Sequence, residues 1–501
     1  MSFKYKIGVS MRTNTVSETE REKAYAPTKK PEVIERQKLD VRYHVEDYEV
    51  NNRPRRFLEA FATILNHSNY RFALEHFIRM SAKCSRCATG CQVFQATGNR
   101  EDIPCYRSEL LLKVYRRHFT LAGKLKGKLL GNDYLTDEMI EDMADSFWNC
   151  TACKRCTNEC PSGIDHALIA HLGRYILSEI GIAPRALVVS TREQLEGKTG
   201  NTSAIPVPAL IDTLEFLEED MKEEKGIDIK FPIDVENCEY VFFPAVSDYL
   251  MEAESLMGIA AVFTATGDSW TTGTGYFDGI NYGLFYSDRM LERIVKKIDA
   301  ETRRLKGRKV LIGECGHASR SAKYYVPTYC GGRDAYPVIN IMEYTYEVLQ
   351  SGRLKIYPDI VTEKVAYHDP CNIARQGWIV EKPREILKSF CRNYVEMYPN
   401  RENQICCGGG GGTVSIDEIR PYRTTVGGKL KAEQIRESGC KYLVAPCANC
   451  KKQLRELVED QNIDCEVVGL HDLIYKAIIF NDLKTSDKDT EKEKDSIGSD
   501  S

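Results

Sequence analysis

Four cysteines, Cys150, Cys153, Cys156 and Cys160, with Pro161 directly after the last, constrain this chain more than any other feature. C-x2-C-x2-C-x3-C-P is the spacing of cubane [4Fe–4S] ligation. Three close thiolates hold three irons, and the fourth reaches to a second cluster. Zinc is the competing metal, but zinc motifs pair C-x2-C units across a longer gap. Here the third cysteine follows after two residues.

The rest of the cysteine inventory points the same way. There are 19 cysteines, an odd number, and most fall in tight groups. The N-terminus has no apolar core of a secretory signal, so a reducing, cytosolic setting is expected. In that setting clustered thiols signify metal or redox chemistry rather than structural disulfides. Cys238, Cys330, Cys391, Cys440 and Cys465 stand apart, as small buried hydrophobes do. A net charge of −4 argues against a general nucleic-acid binder. No apolar run is long enough to span a bilayer.

A second group, Cys84-x2-Cys87-x3-Cys91 followed by Cys105, is irregular, because Ser81 stands where a first cysteine is expected. Cys84, Cys87 and Cys91 then correspond to the last three cysteines of the pattern, and Cys105 supplies the missing thiolate. Two partitions satisfy this. One gives Cys84, Cys87, Cys105 and Cys160 to one cubane cluster and Cys91, Cys150, Cys153 and Cys156 to the other; the alternative exchanges Cys91 and Cys105.

The third group is Cys371, the adjacent Cys406–Cys407 pair, and Cys447-x2-Cys450. Vicinal thiolates can bridge neighbouring irons. Gly408 to Gly412 remove side chains where backbone must approach a bulky group, and the Gly408 and Gly409 amides can donate to sulfide or to an anion. The glycine run lacks the Lys-Ser/Thr ending of a phosphate loop.

Apolar periodicity places helices before and between the first cysteine groups, at 55–80, Ser108–His118, Thr136–Phe147 and His166–Ile180. Beyond residue 235 the pattern alternates strand and helix. Tyr240–Phe243, Lys309–Ile312, Lys364–Tyr367 and Lys441–Val444 each run into a motif of Pro, Gly or Cys. Open α/β sheets bind ligands beyond the carboxyl ends of their strands. FFPAVSDYL is echoed by YHDPCNIAR, and LIGECGHAS by LVAPCANCK, as two copies of one α/β unit would produce. The expected organisation is an N-terminal arm (1–54), an α-helical domain with two clusters (55–190), a linker (191–235), a first degenerate unit (236–355), a second unit (356–480) and a disordered tail (481–501). Arg107 to Lys128 carries seven Lys/Arg against one acid, Glu109, and suits an acidic partner, lipid headgroups or plain solvent.

The third cysteine group resembles the cysteine-rich CCG domain of heterodisulfide reductase catalytic subunits. With the ferredoxin-type motifs ahead of it, the chain from about residue 55 to 478 is similar to the HdrD-like arrangement of those reductases. The stretches CSRCATGCQVFQATG, PCYRSELLLKVYRRHFT, GDSWTTGTG and GECGHASR look like the DsrK/HmeD-type subunits of the DsrMKJOP (Hme) complex, with TmcB similar. This resemblance implies an α+β multidomain fold, with an α-helical ferredoxin domain followed by two α/β CCG-type repeat units. It implies two cubane [4Fe–4S] clusters and one non-cubane [4Fe–4S] cluster on Cys371, Cys406, Cys407, Cys447 and Cys450. It further implies reduction of a disulfide or trisulfide of a DsrC-like small protein, a cytochrome b-type membrane subunit linked to menaquinone, other complex subunits, and attachment at the cytoplasmic face of the membrane through them. The first unit departs from the pattern: Cys315 is the only cysteine at an expected place, Val246 and Ser247 stand where Cys371 has its counterpart, and Ala318 replaces the second cysteine of C-x2-C. Among proton donors for the leaving thiolate, His368 is the first candidate and His317, beside Cys315, the second. Lys451, Lys452 and Arg375 are candidates to screen cluster charge.

Overall fold

The computed structural model describes residues 17–24, 32–43, 52–130, 135–332 and 336–480. The expected tail, 481–501, and most of the expected arm lie outside these residues.

The N-terminal region is helical where apolar periodicity and end signals agree. Helix α1 (Arg53–Asn66) begins at Asn52, whose side chain accepts the Arg55 N–H at 3.1 Å, and it buries Phe57, Phe61 and Ile64. Helix α2 is Ser68–Met80, α3 is Pro104–His118 and α4 is Leu121–Leu130. Helix α5 (Asp137–Trp148) starts where the Thr136 hydroxyl accepts the Met139 N–H at 3.2 Å, the usual way of satisfying a first-turn amide. Helix α6 (His166–Glu179) starts at Asp165, which accepts the Leu168 N–H at 3.0 Å. Their apolar faces meet in one core around Phe61, Phe77, Leu112, Phe147, Leu172 and Ile176. Each such side chain contributes roughly 1.5–3 kcal/mol when fully buried. The described part of the arm straps this bundle. Ile34 N–H donates to the Ala96 carbonyl at 2.8 Å, and Arg36 pairs with Asp102 at 3.2 Å.

Residues 191–235 are more than a connection. Helix α7 (Val207–Lys225) buries Leu210, Leu214, Leu217 and Met221 in the same core as the strands that follow. Its acidic residues occupy the outward face.

Two parallel four-stranded sheets make up the remainder. The first comprises β1 (Tyr240–Phe243), β2 (Trp270–Thr271), β3 (Lys309–Ile312) and β4 (Val338–Asn340), in the order β2-β1-β3-β4. The second comprises β5 (Val361–Tyr367), β6 (Cys391–Val395), β7 (Tyr442–Val444) and β8 (Glu466–Val468), in the order β6-β5-β7-β8. The identical order bears out the internal echo. The sequence pattern shows the central strands and misses the outer ones. Trp270–Thr271 and Val338–Asn340 are too short to carry periodicity, and β6 opens with the polar run Cys391-Arg392-Asn393.

The two units share a core. Helix α8 (Ala253–Thr266) is apolar on nearly all sides and buried from Ser255 to Phe263, as expected of a helix enclosed by protein. It crosses helix α13 (Leu470–Ala477) at Gly258, where a methyl group would run into the His471 carbonyl. In between come α9 (Asp288–Arg304), α10 (Gly316–Tyr329), α11 (Lys382–Phe390) and α12 (Ala448–Asp460). No described helix is long and apolar enough to cross a membrane.

Candidate functional site

The two N-terminal cysteine motifs fold alike. Ser85 (φ 60°) and Lys154 (φ 62°) each take the left-handed conformation ahead of a short helical turn, Arg86–Gly90 and Arg155–Asn158, that carries Cys87 and Cys156 at its second position. This supports the alignment of Cys84, Cys87 and Cys91 with Cys153, Cys156 and Cys160. Gly90 lets the turns meet, because a methyl there would press on the Arg155 carbonyl at 3.0 Å. The Cys87 and Cys105 thiols touch each other, while Cys91, Cys150, Cys153 and Cys156 line one cavity. Cys84 is exposed and Cys160 half-buried. Cys87, Cys105 and Cys156 also pack together in one small buried cluster.

Arg107 also lines that cavity. It is 3% exposed, and its Nε and one terminal nitrogen have no hydrogen-bond partner. The thiols of Cys150 and Cys91 hold its charge, against the cost of burial. A buried guanidinium over four thiols, with the Asp102 carboxylate no nearer than 3.9 Å, suits an anionic guest, and a thiolate-ligated [4Fe–4S] cluster fits. Arg107 therefore does not belong to the outward basic stretch in which the sequence placed it, because α3 turns it inward.

The third group assembles where the two α/β units face each other. β3 runs on into Gly313-Glu314-Cys315 and β7 into Ala445-Pro446-Cys447, and each cysteine is the residue preceding a helix, α10 or α12. The turns repeat one conformation: Cys315 N–H donates to the Gly313 carbonyl and Cys447 N–H to the Ala445 carbonyl, both at 2.7 Å. They also interlock, with Gly316 N–H donating to Cys447 Sγ at 3.3 Å and Ala448 N–H to the Glu314 carbonyl at 2.8 Å.

Around this crossing the thiols form an unbroken series. Cys371 touches Cys406, Cys406 touches Cys407, Cys407 touches Cys450, Cys450 touches Cys447, and Cys447 touches Cys315. Hydrogen bonds from Cys153 and Cys371 hold Cys406 below the usual thiol value, those from their neighbours in the series do the same for Cys407 and Cys447, and Cys371 is pushed up, with burial adding to the rise. All nineteen cysteines are free thiols. Such crowding of buried ionisable sulfur, with backbone amides aimed at it, fits an iron–sulfur guest. Cys315, the cysteine of the degenerate unit, lies at this same centre against Cys447.

Of the two candidate histidines, His368 lies with Cys407 and Cys450, its ligand atom within 4.8 Å of their sulfurs, and neither ring nitrogen has a hydrogen-bond partner. Burial lowers it to about 3. His317 lines the cavity beside Cys371, Cys407, Cys447 and Cys450. Its Nδ1 is 3.3 Å from Cys315 Sγ, its Nε2 is unpartnered, and its ring stacks on Tyr282 and leans on Phe285. Burial lowers it to about 4, so the imidazole is neutral near pH 7.

Other residues with roles here left no signal in the sequence. Arg384 is fully buried and grips Asp369 with two 2.7 Å hydrogen bonds, and Asp369 also accepts the Arg401 N–H at 2.8 Å. This fixes the His368-Asp369-Pro370-Cys371 turn. Burial raises the Asp369 carboxyl, but Arg384 and the Arg401 amide outweigh it and hold it below the usual carboxylate value. The pair's stabilisation is therefore present above about pH 4 and is lost as the pH falls through the lower folded value. Arg384 also pairs with Glu396 at 2.9 Å, so Arg384→Met leaves both carboxylates without that cation and is expected to cost about 3–5 kcal/mol. Urea unfolding at pH 7 checks this, and a loss below 1 kcal/mol would refute the role given to the pair.

The glycine run binds the two halves of the molecule together. Gly410 lies so close to Thr151 that a methyl would overlap its carbonyl, and a methyl on Gly411 would press on the Cys150 carbonyl at 3.1 Å. Arg174 donates to the Phe147 carbonyl at 3.0 Å and to the Gly411 carbonyl at 2.8 Å, and also to that of Cys150. Arg375 donates to the carbonyls of Glu402 at 2.6 Å, Gln404 at 2.7 Å and Cys153. Cys153 in turn touches Cys406. Arg375 is thus a backbone clamp. Lys451 is also engaged, buried between Glu252 at 3.0 Å and Ser255 at 2.8 Å, while Lys452 pairs at the surface with Asp417 at 2.9 Å. Gly410→Ala is expected to destabilise by about 1–3 kcal/mol through overpacking against rigid backbone, read as a lower unfolding midpoint. An unchanged midpoint would remove this reason for the glycine.

Residues 82–164 match the family described as a 4Fe-4S dicluster domain, and residues 365–455 match the one described as a cysteine-rich domain, CCG. The chain is 27% identical over 469 residues to the Hdr-like menaquinol oxidoreductase iron-sulfur subunit 2 of Archaeoglobus fulgidus, covering 85% of this chain and 83% of that protein. It is 23% identical over 408 residues to the D subunit of the dihydromethanophenazine:CoB–CoM heterodisulfide reductase of Methanosarcina barkeri, covering 79% and 93%. A third relative is the EtfAB:quinone oxidoreductase of Syntrophomonas wolfei, 21% identical over 433 residues, covering 79% of this chain and 57% of that protein.

Proposed function

We propose that the chain, an HdrD-like iron–sulfur protein by its similarities, is the catalytic subunit of a membrane-associated redox complex. It passes electrons between a menaquinone-linked cytochrome b-type partner and a disulfide or trisulfide substrate of the DsrC type, on the cytoplasmic side of the membrane. The carrying observation is the continuity of sulfur from Cys153 through Cys406 to a cavity walled by Cys371, Cys407, Cys447 and Cys450.

On this reading Cys84, Cys87, Cys105 and Cys160 hold one cubane cluster, and Cys91, Cys150, Cys153 and Cys156 the other. Cys371, Cys406, Cys407, Cys447 and Cys450 hold a non-cubane cluster, with Cys315 beside it and the Gly408 and Gly409 backbone close by. When bound, that group supplies electrons one at a time and an iron for substrate sulfur. The chain does the rest. Arg174 and Arg375 hold the glycine run and the Cys406 segment against the second ferredoxin motif, which fixes the distance electrons travel. Phe285 and Pro370 restrict water at the cavity. Of the two histidines, His317 is the better placed to deliver a proton, because its ring lines the cavity and that of His368 does not. A neutral imidazole with Nδ1 accepting from Cys315 carries its proton on Nε2, where the departing thiolate takes it.

The test is turnover of purified protein with reduced viologen and peptides bearing a disulfide or a trisulfide. Two viologens oxidised per disulfide cleaved, with two thiols appearing, supports the reading. Reduction of the clusters without thiol release would leave the second reading, an electron relay for a flavin dehydrogenase, which the similarity to the EtfAB:quinone oxidoreductase favours.

A further inference from the structure

Helix α4 faces the wrong way for a helix in water. Taking about 100° per residue, Leu121, Leu125 and Leu129 form one stripe roughly 80° wide, and Gly123 and Gly127 lie opposite it. The structure turns the glycines inward. A methyl on Gly123 would overlap the Arg116 and Arg117 carbonyls, and one on Gly127 would press on the Arg117 guanidinium at 3.0 Å. The Gly123 carbonyl accepts from Arg117 at 3.3 Å, and its N–H donates to the Thr120 hydroxyl at 3.1 Å. The glycine face is therefore seated on α3, and the leucines point out, 83%, 63% and 85% exposed. A soluble helix normally buries its apolar stripe, so this stripe, uncovered among the described residues, calls for an occupant.

The charge pattern says which. Lys124 and Lys128 flank the stripe on one side and Lys126 on the other, all exposed, and no acid occurs between Glu109 and Asp133. Protein–protein interfaces are depleted in lysine and enriched in aromatic residues and arginine. A stripe of aliphatic side chains with lysines on both flanks suits a plane of anionic headgroups over acyl chains. There the leucines reach the boundary and the lysine stems run up to the phosphates.

We propose that α4 lies flat on an anionic phospholipid surface, giving the protein a direct membrane contact of its own. The contact is independent of the reaction proposed above, and its test uses no turnover. Full-length protein is sedimented with phosphatidylglycerol vesicles and with phosphatidylcholine vesicles. The expected result is binding to the first and little to the second. The triple variant Leu121→Ser, Leu125→Ser, Leu129→Ser is expected to lose tenfold or more, since it removes only exposed side chains. Lys124→Gln, Lys126→Gln, Lys128→Gln is expected to lose on the order of a hundredfold at low salt. Both variants should keep the visible absorbance and iron content of the parent, which shows that they fold. Failure of the parent to sediment with phosphatidylglycerol, or a leucine variant that binds like the parent, overturns the proposal. Binding only to vesicles that carry a partner subunit also overturns it, making the stripe a protein contact.

Discussion

Replacing Cys406 with alanine is expected to abolish disulfide cleavage and to lower bound iron by about a third, while the two ferredoxin-type clusters persist. The expectation follows from position. Cys406 touches Cys371 on one side, Cys407 on the other and Cys153 across the contact between the halves of the molecule. No neighbouring thiol can replace it without breaking one of those contacts. Iron and acid-labile sulfide are counted in parallel with viologen-driven turnover. Full iron content with no turnover would mean that Cys406 passes electrons without holding the cluster. Full turnover would exclude the sulfur path altogether.

His317→Phe is expected to lower kcat by roughly 10²–10⁴ with KM and iron content unchanged. Phenylalanine keeps the ring against Tyr282 and Phe285 and removes only the nitrogens, so the split between kcat and KM separates proton delivery from packing. The same measurement on His368→Phe discriminates the two histidines. His368 sits among the sulfurs, so its loss should disturb iron content first. A kcat within threefold of the parent for His317→Phe, together with a collapse of kcat at full iron content for His368→Phe, would transfer the proton to His368.

Much of the fold was readable because local signals agreed. Thr136 before an acidic first turn announced α5, and the apolar runs at Tyr240 and Lys309 announced β1 and β3. The outer strands were not readable: β2, β4 and β8 have only two or three residues and carry no period, and β6 opens with a polar run. The acidic helix α7 read as a connection because its polar face dominates the composition, while the four apolar residues that seat it, one per turn, are visible only once something is there to pack on them. The scattered cysteines were mostly small buried hydrophobes as expected, but Cys440 and Cys465 meet at 3.4 Å across the start of β7 and β8, a pairing that register alone produces.

Within the candidate site, spacing picked out the sulfur. C-x2-C-x2-C and Cys-Cys are short-range patterns, and the distance between their thiols follows from backbone geometry over a few residues. For that reason iron–sulfur chemistry and the division into a ferredoxin-type half and an α/β half could be stated from the sequence. What surrounds the sulfur is long-range and was decided by tertiary structure: Arg107 turned inward by α3, Arg174 and Arg375 clamping backbone more than two hundred residues away in sequence, Arg384 on Asp369, and Cys315 brought to Cys447 by the facing of two repeats. A buried cation meets its partners only after the chain has closed, and nothing in a lone arginine's neighbours along the sequence says whether water or a carbonyl will receive its protons.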